Sequence, residues 1–244
     1  MHVRKNILLC FVGICLTQIS LPAQSGKTLQ IDSNRELFVD QFLIEKLNNL
    51  TQELHTPINE GSVLKFGNSW EGNFSGYSTI IKDGTQYKLY YRGIREAGKD
   101  GNSNEVTCYA ESTDGVNWTK PCLGIHNING TTNNNVILAN AAPVTHNFSP
   151  FLDMSPNAKA SERFKALGGV AKTGLFAFVS PDGIHWKKIQ DSAVYKTGIF
   201  DSQNVAFWSE SEQQYVCYFR TWSDGGFTQY KGFRSVSKTT SKDF

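Results

Sequence analysis

Two carboxylates stand at matching places along the chain, Glu71 in Trp70-Glu71-Gly72-Asn73 and Asp201 in Asp201-Ser202-Gln203-Asn204. Each lies just ahead of an apolar, strand-like run, and His146-Asn147 holds the same place ahead of a third. Two carboxyl groups brought together can divide a bond cleavage between them, one as acid and one as nucleophile or base. Glu71 and Asp201 are therefore the expected catalytic pair; the plain alternative for each is a turn carboxylate or strand-end cap. Asn73, His146, Asn147, Gln203 and Asn204 offer neutral donors and acceptors beside them and are expected to bind substrate. Arg92 and Arg220 share one slot, the end of a middle strand, where a guanidinium can grip a carboxylate or a sugar hydroxyl with a planar fork of donors. A structural pairing with a neighbouring carboxylate suits that slot equally.

No metal site is expected. Cys-x-x-Cys spacing and Cys/His clusters do not occur, and a lone His146 is more often a hydrogen-bonded rim or core residue than a ligand. A metal ion on a central axis beside His146 is the one cofactor left open. Trp70, Phe74, Tyr77 and Trp222 are candidates for an aromatic platform under a sugar ring, with core packing the default for any one of them.

These groups need elements to position them. Helical periodicity is nearly absent from the 244 residues; one short helix is expected around Gln41 to Leu47, after a strand-like Glu36 to Asp40. Elsewhere short runs rich in Tyr, Phe, Val and Ile alternate with Gly, Asn, Asp and Ser: Tyr77 to Ile81, Tyr87 to Tyr91, Val106 to Ala110, Phe164 to Leu167, Leu175 to Val179, Val205 to Trp208 and Tyr215 to Phe219. Asp83-Gly84 joins the first two at hairpin spacing. The fold class is all-β.

A repeat narrows this further. Ser112-Thr-Asp114-Gly115-Val-Asn-Trp118 recurs as Ser180-Pro-Asp182-Gly183-Ile-His-Trp186, and a third copy begins at Ser241-Lys-Asp243-Phe244. The aspartates lie 68 and then 61 residues apart, and the same inner, middle and outer strand runs precede each turn. Ser and Asp can tie such a turn to its backbone, Gly supplies the positive φ, and Trp packs back on the sheet. Four-stranded units ending in one shared turn are the mark of β-propeller blades, here about residues 73–118, 146–186 and 200–244.

The strand order and the Ser-x-Asp-Gly-x-x-Trp turn resemble the five-bladed propeller glycosidases, which include invertases, levansucrases and arabinanases (glycoside hydrolase families 32, 68 and 43). More closely, Glu36-Leu-Phe-Val-Asp40 with Leu43-Ile44, Trp70-Glu71-Gly72, His146-Asn-Phe-Ser-Pro150 and Phe200-Asp-Ser-Gln-Asn204 are similar to secreted bacterial proteins near family 32. The likeness runs from about residue 35 to residue 244. It implies a five-bladed fold and a carbohydrate substrate. The Asn-Asp-Pro-Asn, Arg-Asp-Pro and Glu-Cys motifs of the invertase-like enzymes do not occur, so no catalytic residue carries over by motif. The expected activity is glycoside hydrolysis or glycosyl transfer. The alternatives are a propeller that binds glycan without cleaving it, or a sialidase-like one.

The ends of the chain complete the reading. Residues 1–25 combine a basic start, an apolar run from Ile7 to Leu16 and a small-residue stretch at Pro22-Ala-Gln-Ser25, the pattern of an export signal. The run is too short to span a bilayer, so a secreted or periplasmic protein without membrane insertion is expected. The signal takes away Arg4 and Lys5 and no acidic residue, leaving 22 residues of each sign and no electrostatic case for nucleic acid. Residues 26–72 lead into the propeller of 73–244. Three blades fall short of the roughly four to eight that close a ring. The chain is therefore expected to be part of a longer propeller, with some of its site outside it. Cys108 and Cys217 are expected to be buried, with a Cys108–Cys122 bridge the minority reading.

Overall fold

The computed structural model describes residues 29–31, 36–94 and 101–244. The expected export signal lies outside these. The chain divides into two compact units, residues 1–57 and 58–244. In the first, the expected strand Glu36 to Asp40 and helix Gln41 to Leu47 do not form; the segment runs through bends and a turn. Asp40 Oδ1 accepts the Phe42 N–H at 2.8 Å, and Ile44 N–H reaches Gln41 O at 3.1 Å. A seven-residue helix has too few backbone bonds to offset its nucleation cost, and the Asp40 side chain competes locally for the backbone.

The second unit is all-β, with three antiparallel sheets in chain order. The first comprises β1 (Gly76–Asp83), β2 (Gln86–Gly93), β3 (Val106–Ser112) and β4 (Val136–Leu138). The second comprises β5 (Ser149–Leu152), β6 (Phe164–Val170), β7 (Gly174–Ser180) and β8 (Lys187–Lys188). The third has three strands, β9 (Val205–Ser209), β10 (Gln214–Trp222) and β11 (Arg234–Ser241). Within each sheet every strand pairs with the next in sequence, so each sheet is a meander. The β1–β2 turn is the expected one: Asp83 pairs with Gln86 across Gly84-Thr85, with Gly84 at φ +61°.

The two full Ser-x-Asp-Gly-x-x-Trp turns repeat bond for bond. Ser112 Oγ accepts Gly115 N–H at 2.9 Å, as Ser180 Oγ accepts Gly183 N–H at 2.9 Å. Asp114 Oδ1 takes the N–H groups of Val116 and Asn117, and Asp182 Oδ1 those of Ile184 and His185. Each Trp Nε1–H closes on the Gly carbonyl, at 2.9 Å for Trp118 and 3.1 Å for Trp186. At Asp114 these bonds, led by the Asn117 side chain, hold the carboxyl well below the usual carboxylate range. The third copy makes the opening bond, Asp243 N–H to Ser241 Oγ at 3.3 Å.

Tryptophan burial follows. Trp118 packs on the cluster of Leu89, Tyr91 and Cys108, and Trp186 meets Tyr90 of the first sheet, Phe148 just ahead of the second, and the cluster that holds Phe178. Phe151, Leu167, Leu175, Cys217 and Phe219 join the second sheet to the third. Polar ties cross the same seams: Arg163 grips Asp83 with both nitrogens (2.6 and 3.1 Å), and Lys165 reaches Asp153 (2.7 Å) and the Tyr215 hydroxyl (2.8 Å). Leu64, Phe66 and Trp70 cover the far face of the first sheet. All three cysteines of the described residues are free, Cys108 and Cys217 buried and Cys122 exposed, so the Cys108–Cys122 bridge is not formed. No helix among the described residues is long and apolar enough to cross a membrane.

Candidate functional site

The chain ahead of the first strand of each sheet, β1, β5 and β9, carries the polar residues singled out above. The three are brought to very different surroundings.

Glu71 is fully buried. Lys120 Nζ lies 2.6 Å from one of its carboxylate oxygens and 2.9 Å from the other; Asn68 N–H (2.8 Å) and the Tyr91 hydroxyl also donate to it. Trp70 Nε1–H and the Tyr91 hydroxyl meet at Asn135, extending the network into the first sheet's core. Gly93 passes beside it: a Cβ there would lie 2.8 Å from Trp70 O and 3.2 Å from Glu71 Cα. This carboxylate is a pinned anchor with its lone pairs in use. Asn73, two residues on, is exposed.

Asn147 is fully buried and acts as a staple. Its amide donates to the carbonyls of Gly169 (2.8 Å), Phe200 (2.6 Å) and Ser202 (3.0 Å), and its Oδ1 accepts Gly169 N–H at 2.9 Å. It ties the end of β6 to the segment ahead of β9. Here the second sheet has Gly168-Gly169 where the other two carry arginine. A Cβ on Gly168 would lie 2.8 Å from Val144 O, so only glycine lets the Val144–His146 turn pass. Gln203 bridges to β1 through Thr79 Oγ1 and Ser78 O, and buried Asn204 donates to Ser202 O at 3.1 Å.

His146 and Asp201 do share a cleft. It has a volume of about 520 Å³, and Gly101, Lys172, Thr173 and Tyr230 also line it. Arg220 Nη1 lies 2.8 Å from Asp201 Oδ1, an ion pair in which no N–H points squarely at the oxygen. Burial first, and then the Asp201 charge, push the Tyr230 phenol above its ordinary value, with Arg220 offsetting in part. Arg92 lies behind His146: Nη1 is 3.2 Å from His146 Nδ1, Nη2 donates to Phe74 O, and the guanidinium sits 4.4 Å above the Tyr77 ring. Tyr77 meets His146 edge-on and donates its hydroxyl to Asp201 O at 3.1 Å. It does so from φ +51°, a left-handed conformation that a bulky residue adopts only where its surroundings hold it, at the irregularity between Gly76 and Thr79 of β1.

Of the expected site residues, His146 and Asp201 line one cleft, and Arg92 and Arg220 contact them without lining it. Glu71 and Asn147 are buried in the framework, Gln203 and Asn204 fix the chain beside Asp201, and Asn73 does not line the cleft. Two groups escaped the sequence reading. Tyr230 arrives on the β10–β11 loop, and Glu105, just ahead of β3, puts its fully buried carboxylate 3.3 Å from His146 Nδ1. Among the described residues no three His, Cys, Asp or Glu side chains converge as a metal site.

No family model matches the chain, and no curated protein matches it. Solved structures do. A glycosyl hydrolase from Bacteroides ovatus is 17% identical over 67% of this chain and 46% of its own, with a TM-score of 0.41. A structure of the GH130 family of mannoside phosphorylases, described as containing glycoside hydrolases that target β-1,2 mannosidic linkages, is 16% identical over 66% and 46%, with a TM-score of 0.40. An N-acetylgalactosamine deacetylase from F. plautii, in complex with blood group B trisaccharide, is 12% identical over 67% and 49%, with a TM-score of 0.38. The chain spans about half the length of these structures. A hydrolase, a phosphorylase family and a deacetylase stand at one level of likeness, so these comparisons single out no reaction.

Proposed function

We propose that the chain is an exported carbohydrate-active protein, built as part of a five-bladed propeller, that hydrolyses or transfers glycosyl groups in the cleft of His146 and Asp201. One observation carries this reading: His146, Asp201 and Tyr230, far apart in the chain, line one cleft, with Arg220 paired to Asp201 and Arg92 beside His146. Cleavage at an anomeric carbon needs an acid and a base or nucleophile, roles that a carboxylate and a second titratable group can share, and an aromatic face suits a sugar ring. Its volume falls within the range of small-molecule sites. The resemblance of the turn and strand order to propeller glycosidases supports the same class, and the pattern of residues 1–25 supports export.

In this proposal Asp201 does chemistry and Glu71 holds the frame, because a catalytic carboxylate needs an oxygen free to meet substrate. A second reading, glycan binding without cleavage, is favoured by Asp201 being the only carboxylate among the described residues lining the cleft. Purified protein assayed for turnover and for binding on a panel of furanosides and pyranosides separates the two. The proposal expects turnover that is lost in Asp201→Asn. Binding without turnover, left unchanged by that substitution, overturns it.

A further inference from the structure

The surroundings of His146 are unusual in one respect. Its Nδ1 lies 3.2 Å from Arg92 Nη1 and 3.3 Å from Glu105 Oε1. Arginine can only donate and an ionised glutamate can only accept, so one ring nitrogen cannot bond both. When Nδ1 carries a proton it serves Glu105; when it does not, it serves Arg92. Glu105 is held for the first role. It is fully buried, Oε1 takes the Gly101 N–H at 2.7 Å, and Oε2 has no hydrogen-bond partner among the described residues. A buried carboxylate oxygen left without a donor calls for a reason, and a role in the site beside it is one. The imidazole is 2% exposed, its Nδ1 is flanked by Arg92 and Glu105, and the residue lines the cleft.

We infer that Glu105 and His146 form a proton-donating pair, with Glu105 holding the Nδ1 proton and His146 Nε2 acting as the acid of the cleft. The inference deepens the glycosyl-transfer reading and rests on it. In hydrolysis, Nε2–H gives its proton to the leaving oxygen as the bond from that oxygen to the anomeric carbon breaks. The oxygen of a water bonds to that carbon, and Asp201 accepts the water's proton. Asp201 then releases this proton to solvent, and His146 regains one from solvent. Glycoside and water become sugar and alcohol, with nothing else consumed. Glu105 is a positioning residue: it never touches substrate and, in this proposal, accepts the Nδ1 proton. Arg92 opposes it, and Tyr77 meets the ring edge-on. Asp201, Lys172 and Tyr230 share the cleft.

Two measurements test this. The first follows the His146 titration by NMR of the ¹⁵N-histidine-labelled full chain. An opposite charge at this range shifts a midpoint by about one to three pH units. Glu105→Gln is therefore expected to weaken proton affinity at His146 about tenfold or more, and Arg92→Gln to strengthen it. A midpoint unmoved by Glu105→Gln overturns the pair. Far-UV circular dichroism checks that each variant folds, and Glu105→Asp, which keeps the charge, should retain most of the native midpoint.

The second compares leaving groups. A 4-nitrophenolate leaves without protonation, whereas an alkoxide does not. His146→Gln should slow alkyl glycosides about a hundredfold or more, the typical worth of a general acid, and 4-nitrophenyl glycosides far less. Equal slowing of both overturns the acid role while leaving glycoside turnover standing. No turnover by the native chain refutes the proposed function and the acid role with it, and the titration still decides the pair.

Discussion

Asn147 is the most exacting test of how this framework holds its cleft. Replacing it with alanine removes an amide whose two hydrogens are shared among the Gly169, Phe200 and Ser202 carbonyls, and the oxygen that accepts the Gly169 N–H. The side chain is fully buried, so water cannot step in without opening the seam. A neutral bond contributes about 1 kcal/mol net, and a buried donor or acceptor left without a partner costs about 1–3 kcal/mol. The Gly169 N–H loses its only side-chain acceptor, and the carbonyls lose a shared donor. Allowing for overlap among them, the loss should be about 3–5 kcal/mol, a large share of the 5–15 kcal/mol that stabilises a typical domain. Urea unfolding of the native chain and of Asn147→Ala, read by tryptophan fluorescence, measures it. The midpoint should fall with the slope unchanged. Asn147→Asp should be at least as damaging, because it sets a carboxylate against three carbonyls. A loss below about 1 kcal/mol would refute the reasoning, since that is the worth of one ordinary bond.

Other outcomes follow from the same geometry. Glu71→Gln leaves Lys120 without its counter-charge in a mostly buried site and should lower stability by about 3 kcal/mol, visible as a drop in Tm. Burial pushes the Cys217 thiol up to about 12. Its folded value lies above its unfolded one, so its contribution is intact below the ordinary thiol range and fades as pH rises toward 12. Stability should fall by roughly 1.4 kcal/mol per pH unit in that window, and Cys217→Ala should flatten the slope. Asp153 behaves oppositely. Burial acts to raise its carboxyl, but Lys165, the Ser155 N–H and Tyr215 outweigh it and hold the carboxyl low. Its contribution is present above the ordinary carboxylate range and lost as pH falls through the lowered value, so Asp153→Asn should flatten the acid limb of the stability curve.

The strands and turns could be read from the chain because their causes are local. Short aromatic and apolar runs bounded by turn residues set Tyr87 to Tyr91 in β2 and Leu175 to Val179 in β7, and Ser-x-Asp-Gly makes its own bonds within four residues. The leading ends of the inner strands were legible for the same reason, which is why His146 and Asp201 were found. What those side chains meet was not. Lys120 comes from 49 positions beyond Glu71, and the carbonyls held by Asn147 from as far as 55 positions along the chain. Nothing local marks Glu71 as sealed and Asp201 as open. Glu105 was missed because it stands outside any periodic run and gains its meaning only from a histidine 41 positions away. The Glu36 to Leu47 stretch misled because apolar content alone supplies neither a partner strand nor enough turns for a helix.

The claim that this cleft performs glycosyl chemistry meets its most direct test in one rate. Initial-rate kinetics of the purified chain on its best panel substrate, native against Asp201→Asn, should show kcat falling about a hundredfold or more with Tm nearly unchanged. A kcat that survives Asp201→Asn in a folded protein would contradict the account.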